Sequence, residues 1–370
     1  MTLIGINAHL LSGREGYRRA GIHHYIRQVI AHLPVDAGLE YVIFTRRPEL
    51  VHRPGVTPRT THLPTSRRLV RILWEQTAWP VAAARLNLDL LHSMAFVTPL
   101  VSPCPTLVTV YDLSFLHYPD RFPATQRRYL TGQTRRSCRT ARRVVTISAS
   151  GREDVHRFFG VPRERIGVVR PGVDARYQPR PTDEVAAFRT QKGLPARFLL
   201  HVGTLQPRKN IPTLLDALAR LNRPDLPLYL VGGKGWLYDE IFARVKNLNL
   251  QDRVHFTGYV PDAELPLWYS AATALVFPSV YEGFGLPVVE AMACGTPVIA
   301  ARASAIPEAA GEAALLFDPD DAVTLAKQIG DVLGNSDLAA KMRADGLIQA
   351  NQFSWHQSGR DMAENYLSAL

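Results

Sequence analysis

The 370-residue chain has only three cysteines, no long apolar run, and not one lysine in its first 180 residues. Cys104, Cys138 and Cys294 have neither metal-ligand spacing nor the even count of a disulfide framework, which excludes a zinc module and a stapled scaffold. A reducing compartment suits them. No stretch of about 18 uninterrupted apolar residues occurs, and Met1 leads straight into the strand-like "LIGINA" without the regions of a secretory leader. A cytoplasmic protein is expected. Low-complexity tracts and repeats of about 20–50 residues are also missing, which argues against a solenoid.

Arginine fills the lysine gap. Residues 1–180 carry 27 Arg against 12 acids, a net +15, whereas 181–370 carry 16 basic and 21 acidic residues, a net −5. Two halves with different partners are expected, the first meeting something anionic. Eight of the arginines lie in 121–143, "RFPATQRRYLTGQTRRSCRTARR", which contains no Asp or Glu. Such a run is either a solvated helix face or a patch for anionic lipid headgroups or another polyanion. In the second case Phe122, Tyr129 and Leu130 are candidate shallow anchors.

Strand-like and helix-like segments alternate along both halves. Short apolar runs fall at 3–8, 41–45, 89–93, 106–112 and 143–148, then at 197–203, 228–232, 253–258, 274–278 and 297–300. Val/Ile/Leu runs buried on both faces and joined by helices make parallel sheets. Two α/β domains follow, and the polar, proline-bearing stretch 168–184, "VVRPGVDARYQPRPTDE", is the best linker.

The stretch "YEGFGLPVVEAMACGTPV" (281–298) concentrates the chemistry. It follows the strand-like "ALVFP", and Gly285-Leu286-Pro287 opens a helix with proline in the first turn, where a missing N–H costs nothing. A helix start offers unpaired N–H groups and a positive dipole end, which suit a phosphate. Glycines let a ligand approach the backbone. Glu282 and Glu290 would repel phosphate but accept hydrogen bonds from sugar or ribose hydroxyls, so a nucleotide sugar satisfies every group. The plainer alternative, two acids that complement a helix dipole, leaves the glycines and the apolar surroundings of Glu290 unexplained.

"SVYEGFGLPVVEAMACGTPVIA" resembles the Glu-seven-residues-Glu signature of the retaining glycosyltransferases of family four. The resemblance extends to "VVRPGVD", "VGTLQPRKN" (202–210), "LVGGKG" (230–235), "FTGYVPDAELPLWYSAA" (256–272) and "LFDPDD" (316–321). It implies the GT-B fold of two facing Rossmann-like domains, here an acceptor domain at 1–175 and a nucleotide-sugar domain at 176–353. A C-terminal helix at about 354–370 packs back on the first. The implied reaction moves a hexosyl group from a nucleotide-diphosphate sugar, with GDP-mannose the leading donor because "DLSFLHYP" resembles mannosyltransferases of the family. Anomeric configuration is retained, and the acceptor is a glycan or a lipid-linked sugar.

The same resemblance assigns roles. Arg208 and Lys209 clamp the donor diphosphate, Glu282 holds the hydroxyls of the transferred sugar, and Glu290 holds the ribose. Further donor contacts fall at Gly203, Thr204, Gly232, Tyr259, Val260, Phe284, Gly285 and Leu286, and at Gly21 in the glycine-bearing loop 13–26 of the first domain. Thr204 stands where many relatives carry Arg, and Ala20 where they carry Gly. Tyr111-Asp112 replaces the usual His-Asp pair beside the transferred sugar, with His117 as the alternative contact. Closure about 170–185 is expected to bring donor and acceptor together. No metal or cofactor is expected, because Asp320 or Asp321 in "FDPDD" precedes a helix and reads as its cap. Peripheral contact with the inner face of an anionic membrane would give the arginine run a purpose. Competing functions are a noncatalytic nucleotide-sugar-binding or polyanion-binding protein, and an epimerase or phosphorylase on the same fold.

Overall fold

The computed structural model describes residues 2–11, 21–35, 38–61, 63–119, 123–221, 223–235 and 237–370. They form two compact units, Met1–Gly172 with Trp355–Leu370, and Val173–Ser354.

In the first unit, β1 (Thr2–Asn7), β2 (Leu39–Phe44), β3 (Val56–Arg59), β4 (Leu90–Ser93), β5 (Thr106–Val110), β6 (Arg143–Thr146) and β7 (Ile166–Val168) make one parallel sheet. Its order is β3-β2-β1-β4-β5-β6-β7, so the winding reverses between β1 and β4. Helix Ile22–His32 buries Tyr25, Ile26, Val29 and Ile30, the spacing of one helical face. Against it lies the C-terminal helix Trp355–Leu367. The two approach so closely that a Cβ on Gly359 would stand 2.0 Å from the His32 carbonyl oxygen. A buried histidine ties this helix to the sheet. His92 Nδ1 lies 2.8 Å from the Tyr366 hydroxyl and Nε2 2.8 Å from Thr109 Oγ1. Burial lowers its pKa to about 3, so it stays neutral.

The second unit holds β8 (Leu199–Val202), β9 (Leu228–Val231), β10 (Val254–Gly258), β11 (Ala274–Phe277), β12 (Val298–Ala301) and β13 (Leu315–Phe317). The order β10-β9-β8-β11-β12-β13 is again all parallel and reverses between β8 and β11. Both strands are wholly buried, and "LLHV" and "ALVF" carry no solvent-facing residue. In such sheets ligands bind beyond the carboxyl ends of the strands at the reversal. The loops after β8 and β11 occupy that position.

Candidate active site

After β8 the chain runs through Gly203–Gln206 into a single 3-10 turn, Pro207–Lys209, then through Asn210 into helix Ile211–Arg220. After β11 it runs from Pro278 to Gly285, whose φ of 111° favours glycine, and into helix Leu286–Ala293. One backbone bond joins the two loops, from Val280 N to the Arg208 carbonyl at 2.9 Å. Arg208 Nη1 donates to the Tyr281 carbonyl at 2.8 Å. The sequence-predicted trio then meets: Glu282 Oε2 lies 2.6 Å from Arg208 Nη1 and Glu282 Oε1 2.6 Å from Lys209 Nζ.

Glu282 and Lys209 are buried, at 9% and 6% exposure, which makes their charge balance costly to disturb. Burial works to raise the Glu282 carboxyl, but the charges of Arg208 and Lys209 and their hydrogen bonds hold it down at about 2. Lys209 is pulled below its ordinary range by burial, against the opposing pull of Glu282. Two cations against one carboxylate leave positive charge at the mouth of the sheet. Ser304 fixes the backbone of Glu282, its Oγ accepting from Glu282 N at 2.7 Å and donating to the Glu282 carbonyl at 3.1 Å.

Glu290 lies in helix Leu286–Ala293 and has separate partners. Tyr269 donates its hydroxyl to Glu290 Oε2 at 2.8 Å, and Tyr177 forms a second hydrogen bond. Burial raises this carboxyl to about 7 despite both tyrosines. The other sequence-predicted donor residues of the second unit follow strands of the same sheet, whereas Gly21 belongs to the first unit. A Cβ on Gly232 would fall 2.1 Å from the Gly203 carbonyl oxygen, so the loops after β8 and β9 touch backbone to backbone. Tyr259 is exposed, whereas Val260 is buried. Phe284 is buried with its ring edge-on to Phe353, so it supports the loop and offers a ligand only its backbone. Thr204 and Leu286 are partly exposed.

Tyr111 requires a correction. It is 4% exposed, its hydroxyl donates to the Met94 carbonyl at 2.6 Å, and its ring packs against Tyr25 and Phe96. The side chain is core, with its one donor spent. Asp112 stays partly exposed and accepts from Ser114 N at 2.9 Å. His117 Nε2 lies 2.9 Å from Asp154 Oδ2. Gly21, φ 70°, begins helix Ile22–His32, and positions 12–20 of its loop lie outside the described residues. Asp321 accepts from Val323 N and Thr324 N at 3.0 and 2.8 Å, a helix cap. Among the described residues no group of three His, Cys, Asp or Glu could hold a metal ion.

The arginine run also changes character. Arg127, Arg136 and Arg139 donate to the backbone carbonyls of Pro119, Thr98 and Phe159, and Arg143 to that of Glu164. Tyr129 lies beneath the Arg68 guanidinium, and Leu130 packs on the core. Arg121 and Phe122 fall outside the described residues.

Several polar residues at the two reversal points carry no local sequence signal. In the second unit these are His201, Gln206, Ser304, Tyr177 and Tyr269. With its amide oxygen turned toward the guanidinium, Gln206 accepts from Arg208 Nε at 3.1 Å. In the first unit Asn7 pairs in register with Ser93 and donates to Glu75 Oε1 at 3.1 Å. Nearby, His9 Nε2 and Ser93 Oγ are buried without partners among the described residues. Tyr177 and Tyr269 become visible only once the partner of Glu290 is asked for.

The family model "Glycosyl transferases group 1" matches residues 184–347, and "Glycosyltransferase Family 4" matches 19–177. The chain belongs to the group 1, family 4 glycosyltransferases. This family member is 35% identical over 253 residues to the O-antigen chain mannosyltransferase B of Escherichia coli, covering 67% of this chain and 66% of that relative. A sucrose-phosphate synthase from Thermosynechococcus elongatus superposes with a TM-score of 0.79 at 25% identity, over 99% of this chain and 98% of its own. Anabaena HepE, solved with UDP and glucose, superposes at 0.75 and 22% identity over the whole of both chains. The fold class is that of the GT-B glycosyltransferases.

Proposed function

We propose that the chain transfers a hexosyl group from a nucleotide-diphosphate sugar to a hydroxyl of a glycan or lipid-linked acceptor, with retention of configuration. GDP-mannose is the leading donor. The observation that carries this reading is the Arg208–Glu282–Lys209 cluster at the β8/β11 reversal. Its residual positive charge suits a diphosphate leaving group, and preorganised cations of this kind act most strongly where charge develops. As the diphosphate departs toward Arg208, Lys209 and the first amides of helix Leu286–Ala293, the acceptor hydroxyl attacks from the same face. Glu282 accepts from donor sugar hydroxyls and is not a nucleophile, since both its oxygens are engaged by cations. Glu290 accepts from the ribose. The acceptor's proton leaves on the departing phosphate, so no separate general base is required. In the first unit the acceptor lies beyond β1 and β4, near Asn7, Ser93 and Asp112.

A thermal-shift panel of UDP, GDP, ADP and TDP sugars tests the donor, because a ligand bound only by the folded state raises the transition temperature by mass action. GDP-mannose is expected to give the largest shift, followed by transfer to an acceptor with the anomeric configuration read by NMR. A larger shift with a UDP sugar, the nucleotide seen in HepE, would replace the donor; no shift with any would sink the reading. Nucleotide release with free phosphate as the only acceptor would mark a phosphorylase instead.

The first unit is also proposed to rest on an anionic membrane. No helix among the described residues is long and apolar enough to cross one. Support comes from helix Arg68–Gln76, where Leu69 and Leu73 are 75% and 64% exposed, and from Arg128, Arg135 and Arg142, which are exposed. Basic side chains near such a surface contribute about 1 kcal/mol each and lose it to salt. Co-sedimentation should therefore occur with anionic vesicles at low salt and vanish at high salt, or when these arginines become Gln. Equal binding to neutral vesicles, or none to either, would leave a soluble acceptor.

A further inference from the structure

His201 lies in β8 with no exposed surface. Its Nδ1 is 3.1 Å from the Val276 carbonyl oxygen, and its ring stacks on Phe277 with centroids 6.0 Å apart. A carbonyl can only accept, so Nδ1 carries the proton and Nε2 presents a lone pair. Nε2 is buried and has no partner among the described residues. An unmet buried acceptor is costly, so its presence calls for a reason. Burial, with the nearby Lys209 charge, pulls the imidazole down to about 4, so it is neutral at ordinary pH.

The position of Lys209 supplies the reason. A methyl group on Gly203 would stand 3.3 Å from Lys209 Nζ and 3.5 Å from His201 Nε2, so the two nitrogens flank one point. An ammonium has three N–H donors. One goes to Glu282 Oε1, and the face of Phe277 lies 4.9 Å from the ammonium on another side. Phosphate can take one donor, which leaves one for a neutral acceptor already in place.

We infer that His201 is a positioning residue for the clamp: its Nε2 accepts an N–H of Lys209 when a donor diphosphate binds, holding the ammonium between Glu282, the imidazole and the phosphate. This rests on the reading of Lys209 as a diphosphate contact. A carboxylate in place of the imidazole would neutralise the clamp, and an apolar ring would leave the ammonium free to turn away.

The wild-type protein, labelled with ¹⁵N-histidine, is titrated with GDP or UDP, whichever binds more tightly, and separately with its monophosphate. The His201 Nε2 resonance, identified by its loss in His201→Phe, should move upfield with the diphosphate and stay in place with the monophosphate. In calorimetry His201→Phe should weaken diphosphate binding about tenfold, the ordinary worth of a hydrogen bond to a charged group, without changing monophosphate affinity. His201→Gln, which keeps an acceptor, should recover most of it. If Lys209→Ala binds the diphosphate as the wild type does, the clamp reading itself fails and takes this inference with it. If Lys209→Ala weakens binding while His201→Phe does not and the resonance stays put, the clamp stands and the role of His201 is overturned.

Discussion

Lys209→Ala should lower the transfer rate by about 10²–10³-fold while leaving nucleoside monophosphate affinity unchanged, because one preorganised donor to developing charge is worth that much. The split follows from placement. Lys209 pairs with Glu282, whereas Glu290, the proposed ribose contact, has separate partners in Tyr269 and Tyr177. Removing the ammonium also takes one cation from a carboxylate held at about 2, leaving Arg208 as its partner. A broken buried pair costs about 3–5 kcal/mol, and the surviving Arg208 contact keeps the loss at the lower end. The variant should therefore fold, with a lower melting temperature. Steady-state transfer assays and calorimetry with nucleoside monophosphate and diphosphate measure the two effects separately. A variant with the full transfer rate would remove Lys209 from the clamp.

What could be read from the chain and what could not divide along sequence separation. Glu282, Gly285 and Glu290 lie within one loop and one helix, so their spacing alone placed both acids around a helix start. The long buried strands were equally legible as apolar runs. The short edge strands β3 and β7 were not, since "VTPR" carries a proline and "IGV" is only three residues long. Partners from distant segments left no trace: Tyr177 and Tyr269 reach Glu290 from other elements, and Ser304 reaches Glu282 from beyond β12. Tyr111 misleads for the same reason. Its place at a strand end suggests a ligand contact, but Tyr25, Phe96 and the Met94 carbonyl, all remote in sequence, make it core. In the arginine run, composition shows charge and is silent on which guanidinium groups cap carbonyls.

Glu290→Gln should make the ligand-free protein more stable at pH 8 and yet weaken its hold on the donor by about 1–3 kcal/mol, the cost of a lost buried acceptor. The stability half follows from proton linkage. With a carboxyl at about 7 when folded and 4.5 ordinarily, the folded state holds a proton between those values that the unfolded chain has released. Stability from this group is therefore greatest below about 4.5, falls as pH rises to about 7, and is flat above. Facing it are Tyr269, Tyr177, Asp262, Arg176 and the Cys294 thiol, so burial and the Asp262 charge outweigh the two phenols and the single guanidinium. An uncharged isostere escapes the penalty, and the melting temperatures of wild type and variant should diverge as pH rises from 5 to 8. The binding half has the opposite sign. Ribose hydroxyls can donate only to lone pairs, and a carboxylate keeps free ones after accepting from two tyrosines, whereas its protonated form keeps fewer. Donor affinity should rise with pH toward about 7 and level off above it, and the slope should vanish in the variant. A nucleotide sugar is the right probe, because its diphosphate is esterified at both ends and does not titrate in this range. Calorimetry at several pH values, beside differential scanning calorimetry of the free proteins, gives both curves. Wild-type affinity indifferent to pH would take Glu290 out of the ribose site and leave it an acid held by two tyrosines, and a variant less stable than wild type at pH 8 would overturn the raised carboxyl.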